Sequence, residues 1–173
     1  MSSWTIIVIV AFTVSCSSSK ELVYDSNTYE LGQQIVNSAK SEIGSKYKHA
    51  SRGPKSFDCS GLVEYVYDKH DISIGGSAAA MSSLGNSVNI EDAQPGDLVF
   101  YKKGGRVFHV SIISHANSRE VRVVHSTSSR GVIEEDISSS PYWSNKIYKV
   151  ISCLLYTSPS PRDATLSRMP SSA

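Results

Sequence analysis

A chain of 173 residues has room for one domain around one substantial core. Hydrophobic residues at 40% and charged residues at 19% exclude disorder over most of its length. A formal net charge of +1 excludes a nucleic-acid binder driven by bulk positive charge, and three Cys are too few for a disulfide framework.

Ile6 to Val14 is an apolar run. It is shorter than the roughly 20 residues a bilayer span needs, and it has the length of a signal-peptide core. Thr13-Val14-Ser15-Cys16 and a polar stretch follow, an order that resembles a bacterial lipoprotein signal. Residues 1–15 are therefore expected to be a signal peptide, with Cys16 acylated as the new N-terminus. Two features depart from that pattern: no Lys or Arg precedes Ile6, and Thr13 stands where Leu is preferred. The protein would be exported and held by its lipid on the periplasmic side of a bacterial envelope membrane. Residues 16–27 read as a polar tether, and residues 28–152 as the domain.

The first helix is expected to be capped by Asn27, with Glu30 completing a capping-box-like pair. Leu31, Ile35, Ala39 and Ile43 recur at i, i+4, i+8 and i+12 as its apolar stripe, and Gly44 stops it. Ser45 to Phe57 reads as a loop with a Gly53-Pro54 turn. A second helix should begin at Cys59, capped by Asp58, and run to about His70 with Leu62, Val63 and Val66 buried. Ser77 to Leu84 can make a short helix. From Val88 the period changes to two. Strands are expected over Val88–Ile90, Leu98–Lys102, Val107–Ser114, Val121–His125 and Ile147–Ile151. Pro95-Gly96-Asp97 is a turn in which Asp97 is structural, and Gly104-Gly105 closes a hairpin. Helices first and an antiparallel meander second make an α+β fold.

Cys153 to Ala173 is Ser- and Pro-rich and has no helix or strand period. Cys-Leu-Leu-Tyr-Thr-Ser at its start resembles the translation of a transposon-type sequencing adaptor. Residues 153–173 are expected to be such a read-through or a disordered tail, outside the domain. Setting aside its Arg162, Arg168 and Asp163 leaves a neutral remainder.

Cys59 carries the sharpest chemical signal. A Cys at a helix N-terminus gains from the dipole and the unpaired N–H groups, which lower a thiol pKa of about 8.5. Those N–H groups can also hold an oxyanion. Gly61 would leave room for a substrate backbone. A structural Cys at a helix start is the plainer alternative.

A thiol nucleophile needs an imidazole base. His109 lies within the apolar strand Val107-Phe108-His109-Val110-Ser111-Ile112, and His125 ends the next strand. With the turn centred on Asn117, His109 and His125 fall opposite each other on one face. A one-residue slip would separate them onto opposite faces. His115 reads as a turn-end surface His, His70 as a helix-end His, and His49 as a loop His near the groove. No CxxC or HxxxH spacing suggests a metal, and no cofactor is expected.

These blocks resemble the NlpC family of papain-like cell-wall cysteine peptidases over about Asn37 to Trp143. The matching stretches, in order, are Ser45-Lys46-Tyr47, then Phe57-Asp58-Cys59-Ser60-Gly61-Leu62-Val63, then Pro95-Gly96-Asp97-Leu98-Val99-Phe100. Phe108-His109-Val110-Ser111-Ile112 follows, and His125 to Val132 with Tyr142-Trp143 ends the match. The resemblance implies a papain-like fold with N-terminal helices on an antiparallel meander. It implies a triad in which Cys59 attacks, His109 is the base and His125 orients His109. Tyr47 would bond near the thiolate or oxyanion. Asp58 and Ser60 would line the substrate pocket, with Asp58 near a substrate amine. Core packing, capping and an ordinary first-turn Ser are the plainer readings of Tyr47, Asp58 and Ser60. Where the family reads Leu-Pro-Arg-Thr-Ser, this chain has Ile74-Gly75-Gly76-Ser77-Ala78, which leaves the bond cleaved open.

The function implied is a peptidoglycan endopeptidase acting on murein stem peptides, as a monomer with a lipid anchor and no nucleic-acid partner. A non-catalytic wall-binding lipoprotein and another papain-like amidase or acyltransferase are the alternatives. Cys59 preceding His109 disfavours the lipid acyltransferases of that group.

Overall fold

The computed structural model describes residues 25–154. The segment expected to be a signal peptide, Cys16, most of the expected tether and the chain after Leu154 lie outside the described residues.

Helix α1 spans Ser26–Ser41. Its cap is Asp25, whose carboxylate accepts from the Thr28 backbone N–H at 2.7 Å. This corrects the expectation of Asn27, and Ser26 and Asn27 belong to the helix rather than the tether. Either residue type can cap; the Asp also complements the dipole and gains two helical residues. The buried face is Thr28, Gly32, Ile35, Val36 and Ala39. Ile43 is exposed instead. The helix ends at Ser41 with Glu42 as its C-cap, so Ile43 lies past the last helical turn, while Leu31 stays partly buried against the core.

The expected loop contains a short parallel pair, β1 (Lys46–Tyr47) and β2 (Ser56–Phe57). Helix α2 is Cys59–Asp68 and helix α3 is Ala78–Met81, capped by Ser77. The main sheet has six strands: β3 (Asn86–Val88), β4 (Leu98–Lys103), β5 (Arg106–Ala116), β6 (Val121–Thr127), β7 (Gly131–Asp136) and β8 (Ile147–Ser152). Its order is β3-β8-β4-β5-β6-β7, with every pairing antiparallel. The architecture is α+β, as expected. β7 is an addition to the sequence reading, because Glu134-Glu135-Asp136 breaks its apolar pattern.

The sheet has an apolar cluster on each face. On one, Val110, Ile112, Val124, Leu98 and Phe100 pack with Ile35, Leu62, Val63 and Val66 of the helices. On the other, Val99, Tyr101, Ile113 and Val123 pack with Ile137 and Trp143. Period-two alternation sends neighbouring residues of β5 to opposite clusters. Cys153 and Leu154, read above as tail, are buried in the helix-side cluster, directly continuing β8. Pro95-Gly96-Asp97 closes its turn as expected: the buried Asp97 carboxylate accepts from the Gln94 N–H at 2.8 Å.

Candidate active site

Cys59 opens α2, and Asp58 caps it: the Asp58 carboxylate accepts from the Gly61 N–H at 2.6 Å and from the Ser60 hydroxyl at 3.1 Å. Gly61 serves the protein's own backbone rather than a substrate's. A Cβ there would lie 2.1 Å from the Ser51 carbonyl oxygen, so only Gly lets this loop close on α2. That contact corrects the expected role of Gly61.

Two further hydrogen bonds tie the nucleophile segment to the sheet. The Ser126 hydroxyl donates to the Phe57 carbonyl at 2.8 Å, joining the neighbour of His125 to the residue two before Cys59. The Val132 N–H donates to the Ser45 carbonyl at 2.9 Å, setting the Tyr47 strand against β7.

His109 and His125 are almost fully buried on the face away from the helices. They share that face because the shift from the expected register is even. Ile112 pairs with Val124, which brings His125 across from Ser111 rather than from His109 itself. His109 Nε2 and His125 Nδ1 lie 2.9 Å apart. Trp143 stacks on the His109 ring with centroids 4.7 Å apart. Glu135 of β7 completes the group. Its Oε1 accepts from His125 Nε2 at 2.7 Å, from Trp143 Nε1 at 2.9 Å and from Arg130 Nη2 at 2.8 Å.

One cleft of about 510 Å³ is lined by Tyr47, Cys59, His109, Arg130, Glu135 and Trp143, among others. The structure thus brings Cys59, His109 and Tyr47 to one surface, with His125 directly behind His109. Asp58 and Ser60 are tied up in the cap, beside this cleft rather than in its wall. His49 is exposed. His70 meets the Ser38 hydroxyl at 2.9 Å, which ties the two long helices together. His115 is exposed and bonds Asn117. A larger cleft of about 610 Å³ lies between Ile72–Ile74 and Ser83–Gly85, beside Cys153. It holds no imidazole, so its size does not make it the reactive site.

The charges in the site are held low. Burial pushes the Cys59 thiol up and the Asp58 charge adds to this, against the backbone N–H groups of Val110, Ser60 and Cys59 itself. Burial and the neighbouring His125 push His109 well below 6.5. Burial brings His125 down to about 4 even though Glu135 opposes the shift. Burial would raise Glu135, but its hydrogen bonds to Arg130, His125 and Trp143 outweigh that and keep it ionised. The resting pair is therefore a thiol and a neutral imidazole. Burial outweighs the helix-terminus effect that favours a thiolate. Among the described residues no group of three His, Cys, Asp or Glu could hold a metal ion.

The sequence reading passed over Glu135, and Trp143 entered it only as the end of a block. The acidic run of β7 has the composition of a solvated face. In a strand, though, consecutive side chains point to opposite faces. Glu134 turns to Ser114 and Lys40, and Glu135 turns to His125.

The profile of the NlpC/P60 family matches residues 44–152. The chain belongs to the NlpC/P60 family. It is 36% identical over 138 residues to a gamma-DL-glutamyl hydrolase of Bacillus subtilis, covering 79% of this chain and 33% of that protein. The chain thus spans about a third of the length of that relative. Among solved structures, the NlpC/p60 domain of the peptidoglycan hydrolase SagA superposes with a TM-score of 0.60 at 27% identity, over 70% of this chain and 97% of that one. A Staphylococcus aureus protein described as similar to lipoprotein, NLP/P60 family, gives a TM-score of 0.60 at 32% identity, over 73% of this chain and 41% of that one. These superpositions agree with the α+β papain-like arrangement of helices on an antiparallel sheet described for this chain.

Proposed function

We propose that this NlpC/P60 domain is a cysteine peptidase that hydrolyses an amide bond in the stem peptides of peptidoglycan. The observation that carries the reading is the cleft shared by Cys59 and His109, with the His109 ring held from behind by His125 at 2.9 Å. In the reaction His109 Nδ1 takes the Cys59 proton as sulfur attacks the carbonyl carbon. Backbone N–H groups at the start of α2, with the Tyr47 hydroxyl, hold the oxyanion. Collapse expels the amine, which takes the proton from His109 and leaves a thioester. Water, deprotonated by His109, then releases the acid and restores the thiol. A neutral resting pair suits this sequence, because the proton moves only as the bond forms.

The names of the relatives favour the same substrate: one is a peptidoglycan hydrolase and another a gamma-DL-glutamyl hydrolase. Of the two bonds open to such an enzyme, the second name favours γ-D-glutamyl to diamino acid within a stem over the D-Ala crosslink. Asp58 and Ser60, at the cleft's edge, would meet the incoming peptide, with Asp58 near a substrate amine. The N-terminal signal supports export, with Cys16 acylated and the domain anchored to the envelope membrane.

Digestion of purified murein with wild type and Cys59→Ala, with the fragments identified by mass spectrometry, tests the reading. Wild type is expected to leave glycan-linked stems ending in γ-D-Glu and to free the amine of the diamino acid, and Cys59→Ala to do neither. Equal fragment patterns would overturn it in favour of a wall-binding protein on the same fold. Mass spectrometry of detergent-extracted protein tests the anchor; an unmodified Cys16 removes it.

A further inference from the structure

Glu135 is the point at which three separate elements meet. It receives hydrogen bonds from His125 of β6, from Arg130 of the β6–β7 turn and from Trp143 ahead of β8. From its place behind His125, the carboxylate sets the direction of every proton in the line that leads to Cys59. An ionised carboxylate only accepts, so His125 Nε2 must carry a proton. A neutral His125 then has a bare Nδ1, which can only accept. The partner atom, His109 Nε2, must therefore be the donor. That leaves the lone pair of a neutral His109 on Nδ1, the one ring nitrogen free to act as a base.

Glu135 acts on His109 along a second line as well. Its bond to Trp143 fixes the indole that lies over the imidazole face at 27°. The His109 ring is thus fixed both end-on and face-on by a single carboxylate. Arg130, whose Nη2 donates to both carboxylate oxygens at 2.8 and 2.9 Å, holds that carboxylate in its charged form.

We infer that Glu135 is a fourth, positioning member of the catalytic group: it selects the tautomers of His125 and His109 and stabilises the imidazolium that forms when Cys59 gives up its proton. This rests on the reading of Cys59 and His109 as nucleophile and base. The charged and titratable groups facing Glu135 are His125, Arg130 and Tyr101, whose hydroxyl is raised first by burial and then by the Glu135 charge.

The test is Glu135→Gln in the full chain, with Glu135→Asp beside it. The glutamine keeps the shape and removes the charge, leaving Arg130 unbalanced. Protonating the imidazoles then becomes harder. The expected result is a fall in kcat of roughly 10–100-fold with KM little changed, the size of loss known when the carboxylate behind a metal-ligating imidazole is removed. The acid limb of the kcat/KM profile should also move to lower pH. Glu135→Asp should recover part of kcat and return the limb toward the wild-type position. A structural role alone would lower activity without moving that limb. Imidazole nitrogen NMR of the wild type gives a readout independent of turnover and of any variant's folding. It should show both rings protonated on Nε2 at neutral pH. A Glu135→Gln enzyme with wild-type kcat and pH profile, or a wild-type His125 protonated on Nδ1, overturns the inference. If wild type and Cys59→Ala are alike on murein while the tautomers are as stated, the reaction is misassigned and the assignment of Glu135 as the tautomer-setting group stands.

Discussion

The rings of His109 and His125 meet at 2.9 Å although the two residues are not directly opposed in the sheet. Near the turn, His115 pairs with Arg122 and Ala116 with Val121. Continued inward, that register would set His125 across from Ile112, on the opposite face from His109. A bulge between Ile113 and His115 advances β5 by one residue, so Ile112 pairs with Val124 and His125 falls across from Ser111. Ser111 shares the face of His109, and the imidazoles meet diagonally. A single extra residue, Ser114, thus reconciles the turn with the site. The Ser114 hydroxyl is held by Glu134 at 2.6 Å.

The neutral resting pair makes alkylation of Cys59 depend on pH in a defined way. The rate with iodoacetamide should keep rising through and above the free-thiol value of about 8.5, with no plateau in mild acid. Cys153, whose thiol burial pushes up to about 12, should stay unlabelled until the protein is unfolded. Mass spectrometry of the labelled peptides separates the two. A rate plateau for Cys59 below neutrality would mean that the thiolate is already formed.

Acid should destabilise the domain through its buried imidazoles. His125 is held down to about 4 and His109 well below 6.5. Unfolded imidazoles titrate near 6.5, so above that value neither state binds the extra proton. As pH falls below about 6.5, the unfolded chain takes up protons that the folded one refuses, and stability is lost until the folded pKa is reached. For His125 the window runs from about 6.5 to about 4 and is worth roughly 3 kcal/mol in all. Denaturant midpoints measured across that window should fall steadily, and His125→Asn should flatten the fall. A pH-independent midpoint in wild type would count against buried neutral rings.

Gly61→Ala should be a folding defect before it is a catalytic one. The new methyl meets the Ser51 carbonyl, which is backbone and cannot rotate away. A cost of about 1–3 kcal/mol is expected, read as a lower thermal midpoint. Retained stability with a raised KM would return Gly61 to the substrate side of the site.

Asp58 separates capping from recognition. Asp58→Ala removes the acceptor for Gly61 N–H and should cost about 1 kcal/mol. Asp58→Asn keeps an acceptor and should melt within a few tenths of a kcal/mol of wild type. If Asp58 also meets a substrate amine, Asp58→Asn should still raise KM on stem peptides. A variant with unchanged stability and unchanged KM would leave Asp58 as a cap alone.

What could be read in the chain alone follows from its short-range physics. The cap-and-helix pattern placed Cys59 at the first residue of α2. The strand alternation set His109 on the side of Ser111 and His125 on the side of Val123, but the bulge at Ser114 is what makes those two sides one face. The cap and the alternation depend on spacings of a few residues, which the linear order contains. The first cap was misplaced by two residues because Asp25 and Asn27 are both competent, and only the full helix decides between them. β7 was missed because Glu134 and Glu135 each answer a partner distant in the chain, Lys40 and His125. The bulge, the burial that keeps thiol and imidazole neutral, and the carboxylate behind His125 exist only in the folded molecule. They depend on which surfaces meet, and desolvation and cross-strand register are properties of that meeting. The sequence by itself determined which residues could do the chemistry; only the tertiary structure decided their protonation and the direction in which a proton can pass between them.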